Sequence, residues 1–250
     1  MRSFLKALVV FTASIFLLFI GMMLYVAVSA PDVSALKKTI PFPTAFMKAY
    51  QEANTPSAKK ARRLRVKYIP LTKIPEILQR TVILAEDASF WMHHGIDWYE
   101  VRQSFWKNLQ KGQMIRGGST ITQQVAKNLY LSGKKTLFRK FQEYWIAQQL
   151  ESTLRKRRIL EIYLNIIEMG PGVYGVNSGA WYYFRKPPHR LTLAEMVMLA
   201  ATIPSPRKHN PYRRTRQFYW RCQVIARRLW RFHVVDDSTY HTLQASFNLK

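Results

Sequence analysis

Residues 75–86 read Pro-Glu-Ile-Leu-Gln-Arg-Thr-Val-Ile-Leu-Ala-Glu, and their apolar members recur at helical spacing: Ile77, Leu78, Val82, Ile83 and Leu84. Residues 138–150 repeat this pattern through Phe138, Phe141, Trp145, Ile146 and Leu150. A capping box, Thr192-x-x-Glu195, predicts a helix through Ala201, and Thr215–Phe232 has the pattern of a last basic helix. No strand pair with a recognisable hairpin turn stands out, so the sequence predicts a mainly α domain.

The composition narrows the class of protein. The 250 residues include 39 Lys+Arg against 14 Asp+Glu, which gives a net charge of +25. A hydrophobic fraction of 48% is enough to bury a core and excludes a disordered basic tail. The single cysteine, Cys222, excludes an intramolecular disulfide and a cysteine-rich zinc site. The charge requires an anionic partner, whether nucleic acid, lipid headgroups or a phosphorylated substrate.

The uncharged run from Ala7 to Ala30 is long enough to cross a hydrocarbon layer of about 30 Å. The basic residues before it and the small residues at its end also resemble a cleavable signal peptide. The run exceeds the apolar region of such a peptide, about 7–15 residues, and Pro31 would follow the cut. We therefore expect a cytoplasmic tail at residues 1–6 and an uncleaved transmembrane anchor at residues 7–30. The basic residues before and after the run indicate only weakly which end of the anchor is cytoplasmic.

Residues 31–70 are basic and rich in proline, which predicts a connector with a short helix near Thr44–Glu52. The densest charge run in this connector consists of Lys59, Lys60, Arg62, Arg63, Arg65 and Lys67. These side chains either form a solvated face or contact anionic headgroups. Residues 71–250 form the predicted domain.

Residues 86–95 place two carboxylates, Glu86 and Asp87, where an apolar helix ends against aromatic side chains. A glutamate in such a place can be partly desolvated, which suits it to general acid or base catalysis. Glu-Asp pairs at helix ends are common, so this pattern alone is weak. No further histidine or carboxylate lies at the sequence spacing of a metal site from His93 and His94, which favours a structural role for both.

Residues 117–128 read Gly-Gly-Ser-Thr-Ile-Thr-Gln-Gln-Val-Ala-Lys-Asn, a glycine hinge followed by a capped helix start with capping-box spacing. Gln124, Lys127 and Asn128 share one polar face of this helix. A helix start with a glycine-rich approach and a lysine one to two turns later can hold phosphate. The segment is not a P-loop, because the Gly-Lys-Ser/Thr ending is missing.

Two cations and a carboxylate, Arg139, Lys140 and Glu143, fall within one turn of the next helical segment. Arg139 and Glu143 stand at i and i+4, the spacing of a helical ion pair. An ordinary surface pair, which contributes a few tenths of a kcal/mol, has the same spacing.

Taken together, these segments resemble the family 51 glycosyltransferases, the peptidoglycan glycosyltransferases that polymerise lipid II. Five signature blocks appear in order over about residues 75–215: Glu86-Asp87-x-x-Phe90-x-x-His93-x-Gly95; Gly117 through Asn128; Arg139-Lys140-x-x-Glu143-x-x-x-Ala147-x-x-Leu150-Glu151; Lys156-x-x-Ile159-Leu160-Glu161-x-Tyr163-Leu164-Asn165; and Gly170-x-Gly172-x-x-Gly175 with Ala180, Tyr183-Phe184 and Lys186. So many specified positions in register exclude chance. Gly179 departs from the family pattern, which has alanine there, and this change concerns packing rather than activity.

The resemblance implies a lysozyme-like, two-lobed helical fold with a long cleft between a large lobe and a smaller membrane-proximal lobe. It implies that Glu86 is the catalytic base and that Glu143 is a second essential carboxylate. It also implies that the donor side of the cleft is lined by Ser119, Gln124, Lys127, Arg139 and Lys140.

The implied reaction joins lipid-linked sugars into a β-1,4-linked strand. The 4-hydroxyl of lipid II needs a base, hence Glu86, to attack the anomeric carbon of the donor strand with inversion. The undecaprenyl diphosphate leaving group needs cations, hence Lys127, Arg139 and Lys140, with a divalent ion such as Mg²⁺ or Mn²⁺ near Glu143.

The resemblance also implies the partners and the location. The partners are lipid II, the growing strand, the bacterial membrane and other cell wall synthases or divisome proteins, with no nucleic acid. The catalytic domain lies on the extracytoplasmic face of the cytoplasmic (inner) membrane. A transpeptidase would add a Lys-Thr-Gly element, which this sequence lacks. About 35 residues beyond the resemblance are too few for a domain, so we expect a monofunctional enzyme.

Two other functions remain open. A lysozyme-like lytic enzyme would also use a glutamate, but as an acid on the glycosidic oxygen, and would not need cation-bearing helices. A nucleic-acid binder would account for the charge of +25, but no recognisable binding motif supports it and the anchor counts against it.

Overall fold

The computed structural model describes residues 2–53, 63–111, 118–131 and 136–248. Over these residues the chain is mainly helical, which confirms the predicted fold class. The α-helices are Arg2–Ser29 (α1), Ala45–Ala53 (α2), Glu76–Glu86 (α3), Trp98–Lys111 (α4), Ile121–Tyr130 (α5), Leu137–Thr153 (α6), Lys156–Ile166 (α7), Val176–Phe184 (α8), Leu193–Thr202 (α9), Arg216–Arg231 (α10) and Asp237–Ser246 (α11). Short 3-10 helices cover Ser34–Lys37, Leu71–Lys73 and Pro188–Arg190, and the strands are Arg65–Val66 (β1), Glu168–Gly170 (β2) and Val173–Tyr174 (β3).

The helix starts follow local signals in the sequence. Both predicted capping boxes form, at Thr120 and at Thr192, with the reciprocal bonds to Gln123 and Glu195. α10 lies within one residue of its predicted bounds and is capped by the Thr215 hydroxyl. The short helix predicted near Thr44–Glu52 is α2.

The core is built around two helices: α5 packs against α6 and α7, and α3 packs against α9 and α10. Their apolar faces are buried, as shown by Leu78, Val82, Val125, Leu150, Leu160, Leu199 and Leu229. Each fully buried aliphatic side chain contributes about 1.5–3 kcal/mol through the hydrophobic effect. This packing brings the C-terminal end of α3 beside α5 and α10, where the predicted base lies.

The three short strands form a sheet in the order β1-β3-β2, which no pattern in the sequence indicated. β1 runs parallel to β3, and β2 pairs antiparallel with β3. Each strand has only two or three residues, which is too short for the alternation that identifies a strand in a sequence.

Two glycines of the fifth block have different structural reasons. Gly175 has a φ of +81°, and a Cβ there would lie 2.7 Å from the carbonyl oxygen of Asn165, so this position requires glycine. At Gly179, a Cβ would lie 2.9 Å from Cγ of Met169, a flexible side chain. An alanine at 179 would therefore require Met169 and Leu199 to shift.

The predicted connector is packed onto the domain, so the boundary at residue 70 does not appear as a structural division. Leu36 and Met47 are buried in the core, and β1 is part of the sheet. The side chain of Asn165 also bonds the backbone of Ile69 at both its N–H and its carbonyl. In the basic run, Arg63, Arg65 and Lys67 are exposed, whereas Lys59, Lys60 and Arg62 lie outside the described residues.

α1 is long and apolar enough to cross a membrane, and it includes residues 7–29 of the predicted anchor. Most of its side chains are exposed, but its C-terminal part packs on α6. The ring centroids of Phe19 and Phe141 are 6.2 Å apart, and those of Tyr25 and Phe138 are 5.8 Å apart. The predicted anchor is therefore joined to the helix that contains Glu143.

Candidate active site

Glu86 is the last residue of α3, and its side chain is only 9% exposed. Its Oε2 accepts a hydrogen bond of 3.0 Å from Nε2 of Gln124, on α5. Its Oε1 lies 2.6 Å from Nη2 of Arg221, on α10. The carboxylate is thus withdrawn from bulk water, as its sequence context predicted, and it is compensated by one cation and one amide.

Gln124 is held in turn by a buried tyrosine of α7. The Tyr163 hydroxyl lies 3.2 Å from Oε1 of Gln124. Burial raises the pKa of Tyr163 well above its usual value, so its hydroxyl remains a hydrogen-bond donor. Because the amide oxygen accepts from Tyr163, the amide nitrogen is oriented toward Glu86.

Asp87, the neighbouring carboxylate, has a different environment. Its two oxygens lie 3.0 and 3.1 Å from Nε2 of His93, and its Oδ2 also accepts from the backbone N–H of Ile121 over 2.8 Å. Asp87 therefore ties the first sequence block to the N-terminus of α5, where a negative charge is favourable. These contacts agree with a structural role for His93.

Glu143 lies in a cluster of opposite charge and is 3% exposed. Nη1 of Arg139 is 3.1 Å from its Oε2, and Nζ of Lys140 bonds its Oε1. Nζ of Lys140 also lies 3.2 Å from the Ser119 hydroxyl. The pair of Arg139 and Glu143 is therefore not an ordinary surface pair, because its carboxylate is buried and bound by two cations.

Lys127 has no hydrogen-bond or ion-pair partner among the described residues, although its side chain is largely buried. Burial is the main cause that lowers the pKa of Lys127 from its usual value. The nearby carboxylates of Glu143 and Glu86 oppose this effect, whereas the cations of Arg139 and Lys140 add to it. The ammonium thus lies in the electrostatic field of both predicted catalytic carboxylates. An unpaired, partly desolvated cation is a candidate for binding an anionic ligand.

Six of the seven predicted site residues form two hydrogen-bonded groups: Glu86 with Gln124, and Glu143 with Arg139, Lys140 and Ser119. The seventh, Lys127, interacts electrostatically with members of both groups. Asn128, which the sequence placed on the same face as Gln124, is fully buried. Among the described residues, four cations (Lys127, Arg139, Lys140 and Arg221) and two carboxylates leave a charge of +2. An anionic substrate group would neutralise this excess.

The residues around Glu143 do not fit a metal site held by the protein. Both oxygens of its carboxylate are already bound to cations. Within the described part of the chain, no group of three or more His, Cys, Asp or Glu side chains could hold a metal ion. A divalent ion near Glu143 therefore finds no ligand set among these residues.

Comparison with known proteins assigns the chain to a family. The transglycosylase family model matches residues 53–230. The chain belongs to the transglycosylase family. It is therefore a glycosyltransferase, as its five sequence blocks predicted. A crystal structure of penicillin-binding protein 1A from Haemophilus influenzae matches 72% of the chain and 17% of its own length, with 18% identity and a TM-score of 0.42.

Two curated relatives show how far the likeness extends. A biosynthetic peptidoglycan transglycosylase of Laribacter hongkongensis is 42% identical over 189 residues, which cover 76% of this chain and 82% of the relative. Another, from Chromobacterium violaceum, is 46% identical over 166 residues, 66% of this chain and 73% of the relative.

Two residues of this transglycosylase site were not predicted from the sequence. Arg221 and Tyr163 contact Glu86 and Gln124, respectively. Tyr163 belongs to the fourth block, but its hydroxyl partner is 39 positions away. Arg221 lies in a helix with several arginines, and nothing in the sequence distinguishes it from Arg227 or Arg231.

Proposed function

We propose that this transglycosylase polymerises lipid II into β-1,4-linked glycan strands and releases undecaprenyl diphosphate. The 4-hydroxyl of the acceptor attacks the anomeric carbon of the lipid-linked donor strand. The new carbon–oxygen bond forms as the bond to the diphosphate breaks, and the hydroxyl proton passes to Glu86. The observation that supports this reaction best is the pairing of a buried carboxylate with a separate cluster in which the cations outnumber the carboxylate of Glu143.

Glu86 has the properties of the base. Its side chain is buried, its two oxygens are fixed by Gln124 and Arg221, and each oxygen keeps a lone pair for a proton. Asp87 is less suitable because its Oδ2 contacts both His93 and the backbone of α5, and because its side chain is only 2% exposed.

The donor diphosphate would bind at Lys127, Arg139 and Lys140, with Ser119 and Gln124 beside them. Negative charge develops on the leaving oxygen as the glycosidic bond breaks, and fixed cations stabilise that charge. Lys127 has no ion-pair partner in the described part of the chain, so there it can bind the diphosphate without breaking an ion pair. Its desolvation strengthens this interaction.

Glu143 would act by holding Arg139 and Lys140 in place rather than as a nucleophile. Both of its oxygens are already bound to these cations. Attack opposite the leaving group inverts the anomeric carbon, so the reaction needs no covalent enzyme intermediate.

We further propose that α1 anchors the enzyme in the cytoplasmic membrane and that the catalytic domain lies on the extracytoplasmic side. A second feature supports contact with lipid: one face of α4 exposes a set of large apolar side chains, namely Trp98, Tyr99, Phe105, Trp106 and Leu109. Tryptophan and tyrosine are enriched at membrane interfaces. Both proposed substrates are lipid-linked, so this placement brings the site to them.

The test is the purified full chain with labelled lipid II in detergent, with the products resolved by glycan length. We expect a ladder of glycan strands. Cleavage of finished peptidoglycan without polymerisation would instead identify a lytic enzyme. Salt-dependent retention of DNA without lipid II turnover would indicate a nucleic-acid binder.

A further inference from the structure

The C-terminal end of α3 is held by two arginines of α10, a helix that lies outside the five sequence blocks. Arg221 and Arg228 are seven positions apart, which places them on the same face of α10 two turns from each other. Nη2 of Arg221 is 2.6 Å from Oε1 of Glu86, and the two side chains are 29% and 9% exposed. Arg228 instead binds backbone: its Nη1 lies 2.6 Å from the Leu84 carbonyl oxygen and 3.2 Å from that of Ala85.

The two contacts act on different groups of the same helix end. The last carbonyls of a helix have no partner within the helix and form the negative end of its dipole. Arg228 satisfies two of them, which fixes the backbone position of α3 relative to α10. Arg221 binds the side chain one residue further on, so its guanidinium acts on the carboxylate itself.

Several other groups also face Glu86 and affect its charge. Lys127 of α5 interacts with it electrostatically without a hydrogen bond, and Gln124 donates to it without carrying a charge. Tyr163 of α7 stays neutral, and the carboxylate of Asp87 contacts Nε2 of His93 rather than Glu86. Arg221 is therefore the charged group in direct contact with the Glu86 carboxylate among the described residues.

We propose that Arg221 is a positioning residue for the catalytic base: its guanidinium places a positive charge against the Glu86 carboxylate and holds it in one orientation. This inference rests on the proposed function, in which Glu86 accepts the proton of the acceptor hydroxyl. A base must be unprotonated at the working pH, and a buried carboxylate without a cation tends to take up a proton. Arg221 supplies this cation, while Gln124, held by Tyr163, contacts the other carboxylate oxygen.

The experiment compares polymerisation of lipid II across pH for the full chain and two variants. Arg221→Gln removes the charge but keeps a hydrogen-bond donor, and Arg221→Lys keeps the charge. For Arg221→Gln we expect the acid limb of the pH–rate profile to move up by about one to three pH units, with a lower kcat at neutral pH. Arg221→Lys should place the limb between those of the wild type and Arg221→Gln.

Two arginines of the same helix provide controls. Arg228→Gln loses the same charge together with the bonds to the Leu84 and Ala85 carbonyl oxygens, so it should lower the Tm without moving the acid limb. Arg227→Gln removes an exposed charge of α10 and should match the wild type in both measurements. These controls separate a direct effect on Glu86 from a loss of stability or of total charge.

Acid limbs at the wild-type position in both Arg221 variants would overturn the inference, as would equal shifts in the Arg221→Gln and Arg228→Gln variants. If Arg221→Gln fails to fold, the Arg221→Lys variant provides the test. A wild-type acid limb and a wild-type kcat in that variant would contradict a positioning role for the Arg221 guanidinium. Failure of the wild type to polymerise lipid II would refute the proposed function instead, so the two failures are distinguishable.

Discussion

Nε2 of Gln124 lies 3.0 Å from Oε2 of Glu86, although the two residues are 38 positions apart. This hydrogen bond joins the first sequence block, at the end of α3, to the second block, in the first half of α5. It places the proposed base next to the helix that contains Lys127. The acceptor and donor sides of the proposed reaction therefore meet at one pair of helices.

Replacement of the base gives the most direct test of the assignment. Glu86→Gln should keep the fold but lower polymerisation by about two to four decades, because an amide is nearly isosteric and cannot accept the proton. Rates measured with labelled lipid II, together with circular dichroism, check this. Glu76→Gln is the matched control, since Glu76 lies at the other end of α3 in an exposed pair with Arg80. Retention of more than about a tenth of wild-type turnover by Glu86→Gln would exclude Glu86 as the base.

Lys127 should reduce stability while it supports activity. Its pKa is lowered in the folded state, so the folded protein binds this proton more weakly than the unfolded chain does. The cost is therefore largest below the lowered pKa and disappears as pH rises toward the usual value of 10.5. We expect Lys127→Met to raise the Tm at neutral pH, with a smaller gain at alkaline pH, and to reduce polymerisation strongly.

The control for this prediction is Lys48→Met, the same change at an exposed position inside α2. It should leave both the Tm and the rate near their wild-type values. A fall in the Tm of Lys127→Met would show that the ammonium stabilises the fold, which would contradict its assignment as an unpaired ligand-binding cation.

Replacement of Glu143 should have the opposite effect on stability. Glu143→Gln leaves Arg139 and Lys140 without their buried carboxylate, and loss of one partner in a buried ion pair is strongly destabilising. Because Lys140 is 31% exposed and partly screened, we expect at most about 3 kcal/mol of lost stability. Urea unfolding of this variant beside Glu76→Gln measures the difference. Equal unfolding midpoints for the two variants would contradict a role for Glu143 in holding the cations.

The anchor should matter most in a bilayer. A chain without residues 1–30 should still polymerise lipid II in detergent, because the proposed site residues lie beyond residue 85. In liposomes it should be slower, since membrane attachment raises the effective concentration of a lipid-linked substrate. An unrelated apolar helix of the same length should restore the liposome rate. Equal rates in liposomes with and without residues 1–30 would refute this role.

The sequence by itself determined the features that depend on neighbouring residues. The capping boxes at Thr120 and Thr192 form between residues three positions apart, so their pattern is sufficient to predict them. Helical periodicity likewise identified α3, α6 and α10, because an apolar face repeats every three to four residues. The sequence blocks also indicated Glu86 and Glu143, by resemblance to a family.

Tertiary packing decided the contacts that join distant parts of the chain. Arg221 meets Glu86 across 135 positions, and only the docking of α10 on α3 distinguishes it from its neighbouring arginines. The burial of Glu143 and the pairing of β1 with β3 depend in the same way on segments that are far apart in sequence. Periodicity reports which face of a helix is apolar, whereas the partner of a charged side chain depends on which helix covers that face. The charge balance of the site, and so its fitness for an anionic leaving group, therefore follows from the folded arrangement of α3, α5, α6 and α10.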